Sequence, residues 1–122
     1  MECPRCYLPL YDTTVGSGMS ARALQCSKCE GHWLSQSVLD EVSRDVQVKW
    51  WEKAKLPSDE LQRQPIRCPA CGIPTVMRKV VSPRDKRVVM DNCPMCHGVW
   101  LDGGELTAIR EMGAFTALAD LV

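Results

Sequence analysis

The chain has 122 residues and lacks net charge, because its 15 basic residues are balanced by 15 acidic ones. A neutral chain has no long-range attraction to nucleic acid or to an anionic lipid surface. It also lacks an apolar run of the roughly 18 residues that a membrane-spanning helix requires. Its first residues carry neither the basic nor the apolar region of a signal peptide. We therefore expect a cytoplasmic protein with no membrane partner.

The sequence contains few features of an enzyme. Its two histidines, His32 and His97, stand at different places relative to the neighbouring cysteines. It has neither a phosphate-binding loop nor a dinucleotide fingerprint. Asp102 and Glu105 could form an acid and base pair, but helix capping explains their spacing more simply. We expect no catalytic residue, no small-molecule substrate and no enzymatic activity.

What the sequence does contain is eight cysteines, each of which belongs to a Cys-x-x-Cys pair. Each half of the chain contains two of these pairs, which are separated by 19 residues in the first half and by 21 in the second. This spacing is close to that of tetrahedral zinc sites with four thiolate ligands. We predict two Zn²⁺ ions, one in each half. The predicted ligands are Cys3, Cys6, Cys26 and Cys29 in the first half and Cys68, Cys71, Cys93 and Cys96 in the second.

Three alternatives to zinc stay open at this point. A disulfide scaffold needs an oxidising compartment. A redox pair of the thioredoxin type accompanies a strand–helix–strand pattern that this chain lacks. Iron accepts the same four thiolates as zinc. With four thiolates on each ion, no coordination position is left for a catalytic water molecule.

The two halves of the chain are copies of one unit, here called the first and second units. At an offset of 67 residues, Gly31, Trp33 and Leu34 correspond to Gly98, Trp100 and Leu101. Because Trp33 and Trp100 recur, we expect each indole to pack between the hairpin and the helix of its own unit.

Between its two Cys pairs, each unit has the pattern of a β-hairpin. The predicted arms are residues 10–15 and 19–25 in the first unit and 75–81 and 87–92 in the second. A unit of roughly 40 residues is at the limit below which metals or disulfides are usually needed. A structural zinc ion, worth about 10–16 kcal/mol, is therefore expected to hold each unit together.

A helix is predicted after the second Cys pair of each unit. Asp102 and Glu105 form a capping-box pattern for the helix of the second unit. In the first unit, Ser35 or Ser37 begins a longer helix that reaches about Lys55, before Pro57. Its apolar residues recur every four positions, at Val38, Val42, Val46, Trp50 and Ala54.

Residues 68–112 resemble the transcription-factor-IIB-type zinc-finger domains of small bacterial proteins. The resemblance lies in the Cys-Pro-x-Cys pairs and in the segment from Gly98 through Trp100-Leu101-Asp102 to Glu105-Leu106. Residues 3–40 match the same signature at the cysteines, but have Ser35-Gln36-Ser37-Val38 in place of the acidic Asp-x-Gly-Glu stretch. The resemblance implies a tandem of zinc ribbons in a bacterial cytoplasm, and it implies little about activity.

The predicted fold is therefore a small metal-stabilised α+β protein with two zinc ribbons. Each ribbon is a β-hairpin with two Cys-x-x-Cys knuckles, followed by an α-helix. The first ribbon and its amphipathic helix span residues 1–56, a linker spans 57–65, and the second ribbon with its C-terminal helical segment spans 66–122.

Two groups of residues are candidates for binding a partner. Trp51 and Val48 lie off the apolar stripe that contains Trp50, and exposed tryptophans are enriched at interfaces. We expect the helix face that carries Trp51 and Val48 to be covered by the second unit, by a protein partner or by a second copy of the chain. The second hairpin carries a basic cluster that is a candidate for phosphate contact, namely Arg78, Lys79, Arg84, Lys86 and Arg87.

The favoured hypothesis is a non-enzymatic zinc-binding adaptor or regulatory module that recognises another macromolecule. A protein is the favoured partner. One alternative is a ribbon that binds DNA or RNA through the basic second hairpin. Another is a thiol switch that releases zinc when its cysteines are oxidised.

Overall fold

Each unit forms a three-stranded antiparallel arrangement. In the first unit, β1 (Tyr11–Thr14) pairs with β2 (Arg22–Gln25), and β2 pairs with β3 (His32–Leu34). The computed structural model describes residues 1–15, 21–43, 56–72, 74–83 and 85–110. The predicted hairpin is present with shorter arms than expected, and the third strand, on the Gly-x-Trp-Leu segment, was not predicted.

The second unit repeats this arrangement. Strand β4 (Arg78–Val81) pairs with β5 (Val89–Asn92), and β5 pairs with β6 (Val99–Leu101). The register is the same as in the first unit, because Arg78 lies opposite Asn92 as Tyr11 lies opposite Gln25. The sequence repeat is thus also a structural repeat.

The two units join through their third strands into one six-stranded sheet, in the order β1-β2-β3-β6-β5-β4. Strands β3 and β6 are antiparallel, and Trp33 lies directly opposite Trp100. Because these tryptophans are equivalent in the repeat, a pseudo-twofold axis passes between them. The units therefore pack together, a point that the sequence left open.

One face of the sheet is covered by helices. Helix α1 (Gln36–Ser43) buries Leu39 and Val42, and residues 105–110 are also helical. Their apolar side chains form one core with alternate residues of the strands. The buried members of this core are Val15, Ala21, Ala23, Leu34, Leu39, Val42, Val88, Val99, Leu101, Leu106, Ala108 and Ile109.

The opposite face carries both tryptophans and the cysteines. Trp33 and Trp100 pack there with Ile66, Met77 and four buried cysteines. Successive residues of a strand point to opposite faces, so Trp100 is separated from the helix core that its neighbours Val99 and Leu101 join. The expectation that each indole packs between its own hairpin and helix is therefore wrong.

Helix α1 begins where the sequence predicts. Ser35 Oγ accepts a hydrogen bond from the backbone N–H of Val38 at 3.2 Å, as an N-cap residue does. The helix is described as far as Ser43. Its predicted continuation to Lys55, with Val48, Trp50 and Trp51, lies outside the described residues.

The segment predicted as a linker contains a helix, α2 (Asp59–Arg63), which Ser58 caps by accepting from the Leu61 N–H. Gln62 is almost fully buried. Its Oε1 accepts from the Val89 N–H at 2.7 Å, and its Nε2 donates to the Arg87 carbonyl at 3.2 Å. The segment thus packs on β5. Among the described residues, no helix is long and apolar enough to cross a membrane.

Candidate metal centres

Four tight turns, here called knuckles, carry the eight cysteines, and all four are built alike. In each knuckle the fourth residue after the first cysteine donates its N–H to that cysteine's carbonyl, at 2.8–3.0 Å. This residue has a left-handed backbone with φ between 61° and 71°. The four residues are Tyr7, Glu30, Gly72 and His97. Three of them are not glycine, and non-glycine residues rarely adopt this conformation. A metal ion bound by both cysteines of the knuckle would supply the necessary constraint.

The knuckles bring four sulfur atoms together in each unit. Within each group, every sulfur lies within 4.8 Å of the others. The Sγ–Sγ distances are 3.7 Å for Cys3–Cys29, 3.7 Å for Cys68–Cys96 and 3.8 Å for Cys71–Cys93.

These distances fit a metal site. A regular tetrahedron with zinc–sulfur bonds of about 2.3 Å has edges of about 3.8 Å, whereas a disulfide brings its sulfurs to about 2.05 Å. All eight cysteines are free thiols, so the disulfide alternative does not describe this fold. Each group can hold one Zn²⁺ ion, which makes two for the chain, as predicted.

Residues 67–112 match the family model of the transcription factor zinc-finger, a zinc ribbon of the TFIIB type. The match covers the second unit, where the sequence resemblance is most complete. No significant match to the chain was found among curated proteins or solved structures. The first unit adds a second group of four cysteines with the same knuckle geometry.

Backbone N–H groups donate hydrogen bonds to cysteine sulfurs in both units. In the first unit, Cys3 Sγ accepts from the Cys6 N–H at 3.2 Å, and in the second unit Cys68 Sγ accepts from the Cys71 N–H at 3.2 Å. Such bonds stabilise the thiolate. Burial raises the pKa of Cys93, but hydrogen bonds with the N–H groups of Cys96 and Met95 and with the side chains of Cys68 and Cys96 together lower that pKa to about 7.

The corresponding cysteine of the first unit behaves in the same way. At Cys26, burial raises the pKa, and the N–H groups of Cys29 and Lys28 lower it to about 7. In contrast, burial raises the pKa of Cys68 to about 12 and also raises that of Cys29. Binding of Zn²⁺ therefore has to displace protons, and metal affinity rises with pH.

The two centres differ in exposure. In the first unit, Cys6 and Cys29 are half-buried, whereas in the second unit Cys71 and Cys96 are exposed. The remaining cysteine of each knuckle is buried in both units. Two cysteines of the second centre are therefore more exposed to solvent than their counterparts in the first.

The interface between the units contains a one-sided ion network that was not predicted. Arg5, within the first knuckle, donates from Nε and Nη2 to the two carboxylate oxygens of Asp102, at 2.9 and 3.0 Å. Both side chains are less than a tenth exposed. Asp102 Oδ1 also accepts from the indole N–H of Trp100 at 3.0 Å. The pseudo-equivalents of Arg5 and Asp102 are Ala70 and Ser35, so the pair occurs on one side of the axis only.

Asp102, one member of the predicted capping pair, takes part in this network as well as in helix capping. Glu105 Oε2 does accept from the Asp102 N–H at 2.8 Å, as in a capping box. The Asp102 carboxylate, however, binds Arg5. Burial, reinforced by the charge of Asp102, raises the pKa of Glu105 from 4.5 to about 9. Burial thus favours the neutral form of the Glu105 carboxyl.

The basic residues predicted to contact nucleic acid have different surroundings. Lys79 is half-buried and forms an ion pair with buried Asp91 at 2.7 Å. Arg87 pairs with Asp85 at 2.7 Å. Arg78 and Lys86 are exposed. Arg84 lies outside the described residues.

Sequence reasoning missed Arg5, Asp91 and Gln62 as structural residues. A charged residue inside a Cys-x-x-Cys pair gives no pattern of its own.

The Gly-x-Trp spacing was the available signal for the contact between the units. A Cβ atom on Gly31 would overlap the indole of Trp100, and one on Gly98 would overlap that of Trp33. Each glycine thus makes room for the tryptophan of the other unit.

Proposed function

We propose that the chain is a tandem zinc ribbon in which the first unit is a divergent copy of the second. We further propose that it is a non-enzymatic module of the bacterial cytoplasm, where thiols stay reduced, and that it recognises another macromolecule. A protein is the favoured partner. The name of the matching family suggests regulation of transcription as a setting, which is an analogy of fold.

The donor sets support a structural role for the metals. Four thiolates complete a tetrahedral shell, whereas a catalytic zinc keeps one position for water. The acidic residues that resemble an acid and base pair, Asp102 and Glu105, are buried at the interface between the units. Their hydrogen bonds include those with Arg5, with Trp100 and with each other.

The arrangement of charge and apolar surface supports a protein partner over nucleic acid. Lys79 and Arg87 are engaged in ion pairs within the second unit. Both units expose large apolar side chains, and the first unit has four of them at or near its first knuckle. They are Met1, Tyr7, Leu8 and Tyr11. Exposed apolar clusters of this kind are typical of protein interaction sites.

An affinity experiment with the zinc-loaded chain tests the proposal. Captured material is divided, and one half is treated with nuclease before protein and nucleic acid are both measured. We expect a protein that is retained after nuclease treatment and is retained equally by an Arg78→Glu, Lys86→Glu variant. Retention of nucleic acid that depends on salt and is lost in this variant would favour the nucleic-acid alternative instead.

A further inference from the structure

One face of the second unit is covered by helix α2 and Arg5. Lys79 Nζ donates to the carbonyls of Gln62 and Gln64, both at 2.6 Å, and Arg5 Nη1 donates to the Gln64 carbonyl at 3.1 Å. Beneath these groups, Trp100 is fully buried. The helix therefore meets two cations at its C-terminal end, where helix carbonyls attract positive charge.

The pseudo-twofold axis relates this covered surface to an equivalent surface on the first unit, which we call the open face. Of four equivalent positions, three carry different residues and the tryptophan is retained. Asp12, Leu24, Trp33 and Ser35 take the places of Lys79, Asp91, Trp100 and Asp102.

The open face contains a cavity of about 210 Å³. Its lining residues include Leu24 and Trp33, and the exposed Met1 lies beside them. In the part of the chain that the structure describes, the Trp33 indole N–H has no hydrogen-bond acceptor. Its counterpart in Trp100 donates to Asp102. The open face thus has an apolar floor and an unused donor where the second unit has a satisfied network.

Charged residues of both signs border the apolar floor of the open face. Asp12 and Arg22 are exposed on neighbouring strands, and both line the cavity. Asp12 stands where the second unit has Lys79, so the open face does not offer the same cation to the carbonyls of a helix. It matches a ligand that brings a cation to Asp12 and a carboxylate to Arg22.

We propose that the open face binds a short segment of a partner protein, at the surface equivalent to the one that α2 covers on the second unit. The segment presents an apolar side chain to Leu24 and Trp33, between a lysine or arginine for Asp12 and an acidic residue for Arg22. This inference rests on the protein-binding function proposed above and assigns that function to one surface.

The test uses the zinc-loaded full chain and a displayed library of random peptides. We expect the enriched peptides to combine an apolar residue with a basic and an acidic one. The Leu24→Asp variant should bind a selected peptide about tenfold more weakly, because the substitution removes an apolar contact from the floor of the open face. The Asp12→Lys variant should lose about fivefold, the upper range for an exposed ion pair.

A charge exchange separates recognition from general damage. A selected peptide whose basic residue is changed to Glu should bind the Asp12→Lys chain more tightly than it binds the original chain. Lys86→Glu, an exposed charge reversal on the second unit, is the matched control and should leave affinity unchanged. A zinc content of two ions in every variant shows that the fold is retained.

Several results would overturn the proposal. These are the absence of enriched peptides, enrichment that is indifferent to Asp12→Lys and Leu24→Asp, and self-association that Leu24→Asp abolishes, which would assign the face to a second copy. If a protein partner is captured equally by these variants, the proposed function stands and the open face is excluded. If neither peptide nor protein binds, both proposals fail.

Discussion

Gly98 shows how a single residue couples the two units. Its backbone is not left-handed, so any residue could adopt it, but a Cβ atom there would overlap the Trp33 ring. We expect Gly98→Ala to lower the free energy of unfolding of the zinc-loaded protein by about 1–3 kcal/mol, the usual cost of overpacking. Urea denaturation measures this change.

Two comparisons make the Gly98 result specific. Gly72→Ala introduces a Cβ into open space at a φ of 71°, so its cost comes from backbone strain alone. Combining Gly98→Ala with Trp33→Phe should cost less than the sum of the two single changes, because the smaller ring relieves the overlap. An unaltered urea midpoint for Gly98→Ala would contradict the packing described for these residues.

Glu105 gives the protein a pH dependence with a defined sign. Its pKa is raised in the fold from 4.5 to about 9, so between these values the folded state binds one proton more than the unfolded state. Stability from Glu105 is fully present below pH 4.5 and is lost as the pH rises towards 9. The slope approaches about 1.4 kcal/mol per pH unit.

A neutral substitution removes this slope. Between about pH 6 and 8, we expect the unfolding free energy of Glu105→Gln to change less steeply with pH than that of the original chain. Both proteins carry the same eight thiols, whose titration therefore cancels in the comparison. Identical slopes would show that Glu105 ionises normally in the fold.

The metal ligands were predictable residue by residue, because Cys-x-x-Cys spacing directly reflects the geometry of a knuckle. The partner of Asp102 was not predictable. Its capping pattern accounts for the local sequence, whereas Arg5 lies 97 positions away and becomes a neighbour only when the two units share a sheet.

The first knuckle acts as a docking element through Arg5. Arg5→Ala leaves Asp102 buried without its cation, and removal of one partner from a buried pair costs about 3–5 kcal/mol. Arg63→Ala is the matched control, because Arg63 pairs with Asp59 within α2 at the surface and such pairs contribute about 0.3–0.5 kcal/mol. Urea unfolding of both variants should show this difference, and equal losses would contradict the network.

The two metal centres should also respond differently to oxidation. Cys71 and Cys96 are exposed, whereas Cys6 and Cys29 are half-buried. We expect peroxide to oxidise two thiolates of the second centre to a disulfide first, with reduction of peroxide to water, so that one zinc equivalent is released faster than the other. A chromophoric chelator follows the release.

A single-site variant assigns the two phases of zinc release. Cys71→Ala removes a ligand of the second centre, and the zinc that remains should be released at the slower rate. Resistance of both centres to peroxide at concentrations that oxidise ordinary exposed thiols would eliminate the thiol-switch alternative.

Elements were predictable where their pattern is local. Turn residues and β-branched residues marked the hairpins, and Ser35 marked the start of α1. Strands β3 and β6 have three residues each, too few for a periodic signal, and each gains a partner strand from the other unit. Helix α2 was hidden because its buried residue is polar Gln62, whose hydrogen bonds to β5 are set by tertiary structure.

At the scale of the molecule, the shared sheet should make the units cooperative. We expect Cys6→Ser to leave one tightly bound zinc ion and to speed amide hydrogen exchange in β6, which belongs to the other unit. The reason is that β3 and the first knuckle both contact the second unit. Unchanged exchange in β6 would show that the units are stable independently.

The sequence repeat predicted two similar units but not their arrangement, since a linker between copies is compatible with separate domains. What joins them is the self-complementary edge of β3 and β6, with Trp33 opposite Trp100. Each edge is satisfied by the other unit, and the Gly-x-Trp spacing within one copy marks the contact without showing which strands pair.

The covalent connection between the two units has a consequence for abundance. Two separate chains that met through the same strand would come apart on dilution, because association depends on their concentration. Tethering replaces that dependence with a fixed local concentration. A cell that makes only a few molecules therefore still obtains the complete sheet, and the two halves of the contact are free to diverge from each other, as Arg5 and Ala70 have done.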